Sequence, residues 1–408
     1  MHIDLNSCFA TVEQQANPHL RGKPIAVAAY TSPGGCILAA SVEAKEFGVA
    51  TGVRVKDGKA LCPDLIVMPA DPNKYRSVHM RLRTLLSDYT DDFYPKSIDE
   101  FVLNLDGYPA IKTKTVCKVA MEIKRRIKSE VGDWLRVSIG IGPSRFIAKT
   151  ASNLRKPDGL EEINSDNYES VYANLKLCDL HGINRRNEIR LNGVGIFSVL
   201  GFYDSELWRL RAAFKSILSY YWHTRLRGWE IDNVEFGRKT FGNSYALPYS
   251  EGTREELLPI LQKLTEKTGS RLRAAGYRAR GIHLSMSFRD RSAWHKGQKL
   301  SRAIFDSRDI FKEAARVLGY CPKIKPVHTL SVSCFGLMRS ESTQMDLFED
   351  IEKKERLTKA QDTINDVWGM FTITPTRMLA AVDKAPDRIS FGNVRRLKKR
   401  PCSSYCSK

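Results

Sequence analysis

The chain has 408 residues, 42% of them apolar, enough for several packed cores and roughly three or four domains. No run of about 20 apolar residues is present and the N-terminus enters a strand pattern directly, so no membrane span or secretory leader is expected and a cytoplasmic location is. The 65 Lys and Arg against 46 Asp and Glu give a net charge of +19, which implies a polyanionic partner, nucleic acid first; the nine scattered cysteines form no CxxC pair and indicate neither a disulfide framework nor a zinc site.

The first predicted element is a short apolar strand, His2-Ile3-Asp4-Leu5, followed by Asn6-Ser7-Cys8-Phe9 and a helix start at Ala10. Residues 18–70 read as a small mixed region, with strands over 24–28, 36–40 and 65–69 and a short helix from Val42 ended by Gly48. A helix over 73–89 carries Tyr75, Val78, Leu82, Leu85 and Leu86 on one stripe. Ser97-Ile98-Asp99-Glu100 then places two adjacent carboxylates ahead of the apolar Phe101-Val102-Leu103. On a regular strand Asp99 and Glu100 would face opposite sides, so joint action requires a turn or bulge there. A helix over 110–131 and a strand over 135–141 follow. With residues 11–70 set aside, the order is β-α-β-β-α-β, the ferredoxin-like arrangement of an antiparallel sheet backed by two helices. In that topology the first strand neighbours the hairpin, so Asp4, Asp99 and Glu100 can converge. Three such carboxylates suit Mg²⁺, a hard cation that favours oxygen ligands and substrate phosphates, whereas an isolated Asp-Glu pair is ordinarily a solvated turn.

Ser144 is a helix N-cap and Pro157 a stop, bounding a helix over 144–155. Residues 163–228 are mainly helical. Two turns among them contain Gly182, Gly193 and Gly195, whose amides could approach a phosphate backbone, although such turns are usually only turns. A second β-α-β-β-α-β order follows: strand 234–240, helix 253–275, strands 281–289 and 299–304, helix 307–318 and strand 329–336. From Val234 to Met338 there are 19 Lys and Arg against 9 Asp and Glu. A sheet surface bearing Arg278, Arg280, Arg289, Arg291, Lys296, Lys299 and Arg302 could lie along a phosphodiester backbone without reading bases. From Arg339 the chain turns polar and tail-like. There Gln344-Met345-Asp346-Leu347-Phe348 sets two large apolar residues in a hydrophilic linker, as in a peptide docked by a partner, and a helix is expected over 350–368.

Together these motifs resemble the Y-family translesion DNA polymerases of the UmuC/DinB kind. Five stretches carry the resemblance, in order over residues 1–348: Asp4-Leu5-Asn6-Ser7-Cys8-Phe9-Ala10; Glu43-Ala44-Lys45-Glu46-Phe47-Gly48-Val49; Ser97-Ile98-Asp99-Glu100; Gly140-Ile141-Gly142-Pro143 through Ala148-Lys149 to Lys156-Pro157-Asp158-Gly159; and the Gln-x-Asp-Leu-Phe peptide. The resemblance implies an α+β right-hand polymerase. Its parts would be a ferredoxin-like palm (1–10 and 71–162), small fingers (11–70), a helical thumb (163–230), a little finger of β-α-β-β-α-β order (234–338) and a tail (339–408) with a clamp-binding peptide.

It further implies two Mg²⁺ ions on Asp4, Asp99, Glu100 and the main-chain carbonyl of Leu5. Lys45, Lys156 and the amides of Ser7, Cys8 and Phe9 would hold the triphosphate, with the Phe9 ring as the steric gate that excludes a 2′-hydroxyl. Gln344, Asp346, Leu347 and Phe348 would dock on the bacterial sliding clamp. The implied partners are primer–template DNA, a deoxynucleoside triphosphate and the clamp, with accessory subunits left open and no membrane; the implied activity is low-fidelity primer extension past damaged bases, as in an SOS response to DNA damage. Asn6, Val42 and Lys45 replace an aspartate, a tyrosine and an arginine of the commoner DinB pattern. Asn6, Lys45 and Gly35-Cys36-Ile37-Leu38-Ala39 look like the UmuC branch. Asn184 stands where a helix-hairpin-helix turn has its second glycine, and asparagine tolerates the left-handed conformation. Two rivals are a palm-fold nucleotidyl cyclase, which has no need of a basic second module, and a catalytically silent DNA-binding or clamp-bound accessory protein, which gains nothing from clustering repelling carboxylates.

Overall fold

The computed structural model describes residues 1–108, 111, 115–233, 237–340 and 351–386, which fall into two compact units divided at Val234. The peptide from Gln344 to Phe348, like the last basic run, lies outside the described residues.

The first unit begins with β1 (His2–Leu5), the Cys8–Ala16 helix, β2 (Ile25–Ala28), β3 (Ile37–Ala40), two short helices (Val42–Glu46 and Val55–Leu61) and β4 (Ile66–Pro69). It continues through the Pro72–Leu86 helix, β5 (Phe93–Pro95), β6 (Glu100–Leu103), the Val116–Arg126 helix, β7 (Val137–Ile141), the Arg145–Leu154 helix and β8 (Leu160–Glu162). The main sheet has the order β5-β6-β1-β7-β8, with β1 antiparallel to both neighbours and β8 added in parallel as a fifth strand. The α+β class and the placing of the first strand beside the hairpin are as expected. Ile3, Leu5, Phe101, Leu103, Val137 and Ile139 point into a core shared with Leu82, Leu85, Val119 and Ile123 of two backing helices. Each such side chain stabilises the fold by about 1.5–3 kcal/mol.

The opposite face of the main sheet is also covered. His2 is directly opposed to Gly140, so the two share a face. A Cβ at Gly140 would stand 2.0 Å from the Ala148 carbonyl and 2.2 Å from the Ser152 nitrogen. The missing side chain therefore lets the Arg145–Leu154 helix lie directly on β7. Ser144 caps that helix as expected, accepting from the Ile147 amide at 3.3 Å.

Residues between β1 and the Pro72–Leu86 helix build a separate small sheet, β3-β2-β4, over Ala26, Ile37, Ala44, Val49 and Leu65. Five helices between Tyr168 and Leu226 pack around Tyr172, Leu191, Phe202 and Trp222.

The second unit is a four-stranded antiparallel sheet, in which β9 (Thr240–Glu251), β10 (Tyr277–Phe288), β11 (Ala293–Ile304) and β12 (Val327–Arg339) are ordered β11-β10-β12-β9. The Arg254–Ala274 and Ser307–Gly319 helices pack on one face. Of the strand expected over 234–240, residues 234–236 lie outside the described residues and 237–239 are not strand; β9 starts at Thr240, and the residues that alternate into the core are Phe241, Tyr245 and Leu247. The strands expected over 281–289 and 299–304 are the middle and end of a longer hairpin whose polar outer residues hid its alternation.

Residues 351–386, expected as a tail, form a further layer on this unit. The Ile351–Trp368 helix is held by Arg273 to Asp362 at 2.7 Å, Lys354 to Asp309 at 2.6 Å, and Arg278 to Glu355. Lys263 donates to the carbonyls of Ala381 and Val382, and Lys267 to those of Ala385 and Pro386. Charged side chains that would read as a solvated helix face are thus buried partners of the chain's own later segment.

Candidate active site

The register of β1 on β6 sets Asp4 opposite Glu100. Opposed residues of an antiparallel pair share a face, so the two carboxylates emerge side by side. Asp99 ends the preceding turn: its carbonyl accepts the Leu5 amide at 2.9 Å, and its carboxylate accepts the Ser97 hydroxyl at 2.5 Å. The expected turn is present. Among the described residues, the donor atoms that lie within 4.8 Å of one another belong to His2, Asp4 and Glu100, with Asp99 beside this group. The side chain of Leu5 points into the core.

Two ammonium groups meet these acids. Lys149 Nζ is 2.5 Å from Asp4 Oδ2 and 2.8 Å from Glu100 Oε1, and Lys156 Nζ is 2.7 Å from the same Asp4 oxygen. Burial pushes the Asp99 carboxyl up to about 6, with the Asp4 and Glu100 charges adding to it. Burial also works against the Lys149 ammonium, but Asp4 and Glu100 together raise its pKa. Burial, then the neighbouring Lys149 cation, hold the His2 imidazole well below its ordinary value. The oxygen donors of Asp4 and Glu100, with Asp99 alongside, fit a hard divalent cation.

A second side of the site is built on the start of the Cys8–Ala16 helix. Ser7 takes a left-handed conformation with φ of 50°, and its buried hydroxyl has no hydrogen-bond partner among the described residues. The first amides of a helix have no internal partners and favour an anion. Asn6 donates to Ser138 Oγ at 3.0 Å and accepts the Asp158 amide at 2.8 Å, which ties the loop of Lys156 to β1. Phe9 is fully buried and stacks on Tyr75. Lys45 is exposed; partial desolvation, then the Lys156 cation, lower its pKa, so the two cations face a common space near Asp4.

The predicted DNA contacts separate into groups. Gly182 and Gly195 have φ of 101° and 79°, as tight turns require, while Gly193 is an ordinary helix end. Arg209 donates to the carbonyls of Val194 and Gly195 and so fixes that turn. Asn184 is not left-handed: it is extended and caps the Arg185–Asn192 helix, accepting from the Asn187 amide at 3.0 Å.

On the second unit Arg278 is buried between the Phe305 ring and Glu355, so it is not on the sheet's free face. Lys296 lies over the ring of Tyr320, 3.8 Å from its centroid. Arg289 donates to the Leu247 carbonyl at 2.8 Å, and Arg291 occupies the β10–β11 turn with φ of 68°. Arg280, Lys299 and Arg302 are exposed. The face opposite the helices is rich in hydroxyls instead: Ser285 faces Ser331, Ser331 faces Ser244, and His283 faces Ser333. Strand alternation sends Ile282, Leu284 and Met286 to the helices and these short side chains outward.

Sequence reasoning missed His2, Lys149 and Tyr75 as parts of the site. His2 was detectable as the i−2 neighbour of Asp4 on one strand face. The signal for Lys149 is a lysine inside the run Phe146–Ser152, every member of which is buried.

A family model described as "impB/mucB/samB family" matches residues 3–153, and one described as its C-terminal domain matches residues 238–347. Over 376 residues the chain is 30% identical to DNA polymerase IV of Pelotomaculum thermopropionicum, spanning 91% of this chain and 92% of that protein. It is 31% identical to DNA polymerase IV of Moorella thermoacetica, spanning 90% and 92%. Among solved structures, a Y-family DNA polymerase chimera of Dbh and Dpo4 is similar at a TM-score of 0.71 and 22% identity, covering 83% of this chain and 98% of that one. DinB from Sulfolobus solfataricus is similar at a TM-score of 0.54 and 23% identity, covering 82% and 97%. These structural likenesses establish the fold.

Proposed function

Because the chain belongs to the impB/mucB/samB family of Y-family DNA polymerases and is a DNA-directed DNA polymerase, we infer that it joins deoxynucleotides to a primer 3′-hydroxyl at Asp4, Asp99 and Glu100. The observation that carries this assignment is the Asp4–Glu100 pairing across β1 and β6, with Asp99 at the adjoining turn and Lys156 reaching Asp4. Two Mg²⁺ ions, when bound, would supply charge neutralisation of the phosphates and a lowered pKa of the primer hydroxyl. Asp4, Glu100 and Asp99 would hold them, together with the main-chain carbonyl of Leu5.

Lys45 and Lys156 neutralise the triphosphate, and the amides of Ser7, Cys8 and Phe9 donate to it. The Phe9 ring, backed by Tyr75, closes the space beside the sugar. We read residues 1–10 and 71–162 as the palm, 11–70 as the fingers, 163–230 as the thumb and 234–338 as the little finger. The fingers are small, a three-stranded sheet with two short helices, which limits differential binding of the correct base pair and supports error-prone synthesis on damaged templates. Template and primer backbones would lie on the turns at Gly182, Gly193 and Gly195, and on the second unit's hydroxyl-bearing face with Lys299 and the exposed Arg280, Arg291 and Arg302. The sequence from Gln344 to Phe348 supports recruitment by the bacterial sliding clamp.

Primer extension with Mg²⁺ on undamaged and lesion-bearing templates tests the site. Asp99→Ala should lose extension by at least about 10³-fold, roughly 4 kcal/mol of barrier. Equal extension by wild type and variant would remove the assignment.

A further inference from the structure

The position of Lys149 has no place in the chemistry described so far. Its side chain is only 7% exposed, and its ammonium lies between the two carboxylates that β1 and β6 bring together. Lys156, at 36% exposure, can swing from Asp4 toward a phosphate; Lys149 cannot leave in the same way. The backbone of its helix is seated on Gly140, where even a methyl group would collide with the carbonyl of Ala148 and the nitrogen of Ser152. The same helix is capped by Ser144, and its neighbouring residues from Phe146 to Ser152 are all buried.

We propose that Lys149 is a positioning residue: a resident counter-charge that sets the spacing of Asp4 and Glu100 before any divalent cation arrives, at the cost of weaker cation binding. This rests on reading Asp4 and Glu100 as cation ligands. Two carboxylates sharing a buried site repel each other and would either protonate or separate. One ammonium in contact with both removes that penalty, and with Lys156 the pair receives two positive charges, the formal charge of one divalent ion. Lys149 thus holds the two acids converging on one point. A divalent ion entering there must displace Lys149 from Asp4 Oδ2 or share that oxygen with it, so its affinity is reduced while the geometry it needs is already formed.

The test uses the full chain without DNA. Mn²⁺ affinity is measured by electron paramagnetic resonance, and thermal stability is followed while Mg²⁺ is titrated in. Lys149→Met, which keeps the stem and removes the charge, should bind Mn²⁺ about tenfold more tightly. It should also be less stable than wild type without metal, with the gap closing as Mg²⁺ rises. A gap that stays constant at every Mg²⁺ concentration, or Mn²⁺ affinity that is unchanged or weaker, overturns the proposal. If Lys149→Met alone folds poorly, Asp4→Asn combined with Lys149→Met should recover stability because the repulsion is gone; no recovery counts against the proposal. Asp4→Asn by itself must weaken Mn²⁺ binding. Failure there overturns the reading of the acids as ligands, whereas a normal Asp4→Asn loss with an unresponsive Lys149→Met overturns only the role of Lys149.

Discussion

Phe9 lies flat on Tyr75, with ring centroids 4.3 Å apart and planes 16° from parallel, and the Tyr75 hydroxyl is anchored on Glu13 Oε1 at 2.8 Å. The ring assigned to sugar selection is therefore braced by a second ring, itself fixed by a hydrogen bond. Phe9→Ala should admit ribonucleotides, raising the ribo-to-deoxy incorporation ratio by about a hundredfold, roughly 2.7 kcal/mol. Tyr75→Ala, which leaves Phe9 present but unsupported, should give a smaller rise of the same sign. Unchanged sugar selection in Phe9→Ala would sink the gate.

Asn6 joins β1 to the loop that carries Lys156, through Ser138 and the Asp158 amide. Asn6→Ala should therefore act on nucleotide binding more than on chemistry, with KM for the incoming nucleotide rising about tenfold and kcat changing less. It should also cost about 1–3 kcal/mol of stability, since buried polar partners lose their bonds. Steady-state kinetics and denaturant unfolding measure the two effects separately.

The second unit separates two arginine and lysine roles that the sequence lumped together. Lys299→Ala should flatten the dependence of DNA affinity on salt by about 0.9 in log–log slope, the value of one lost phosphate contact. Arg278→Gln should leave that slope unchanged and instead lower the unit's stability, because Arg278 is engaged with Glu355 and Phe305. A salt slope altered by Arg278→Gln would return that residue to the DNA surface.

His79 is buried against Phe101 with Nδ1 on the Ile98 carbonyl, and burial holds its imidazole below its ordinary value. In the unfolded chain it gains a proton near pH 6.5, approximately, but in the fold only at lower pH. Below that point the unfolded state binds more protons, so the stability linked to His79 is present above about pH 6.5 and is lost as pH falls. Urea midpoints between pH 7.5 and pH 5.5 should fall for wild type and fall less for His79→Gln; equal slopes would contradict the assignment. His2, shifted in the same direction, contributes to both proteins alike.

Replacing Leu347 and Phe348 with alanine should abolish stimulation by a bacterial sliding clamp while leaving unassisted primer extension intact. Retained stimulation in the double variant would remove the peptide's role.

Much of the site was legible because it is written in short local motifs. Asp4 sits in a four-residue strand, Asp99 and Glu100 follow a tight turn, and Ser144 caps a helix that ends before Pro157; each is set by neighbours within a few positions. The β-α-β-β-α-β order was enough to bring the first strand beside the hairpin. Composition revealed the basic second module but not its facing, since Lys and Arg look alike whether solvated, bound to phosphate or engaged by a later helix.

The sequence by itself determined which residue types could do the chemistry and which segments carry them. Only the tertiary structure decided that Glu100, and not Asp99, is the residue opposed to Asp4, because one step of strand register exchanges the two faces. It also decided that Gly140 brings a helix down onto β7 and so delivers Lys149 to both acids, and that Arg278 is engaged by a helix 77 residues further on. Such pairings depend on register and packing between distant segments, which no local pattern of residues encodes.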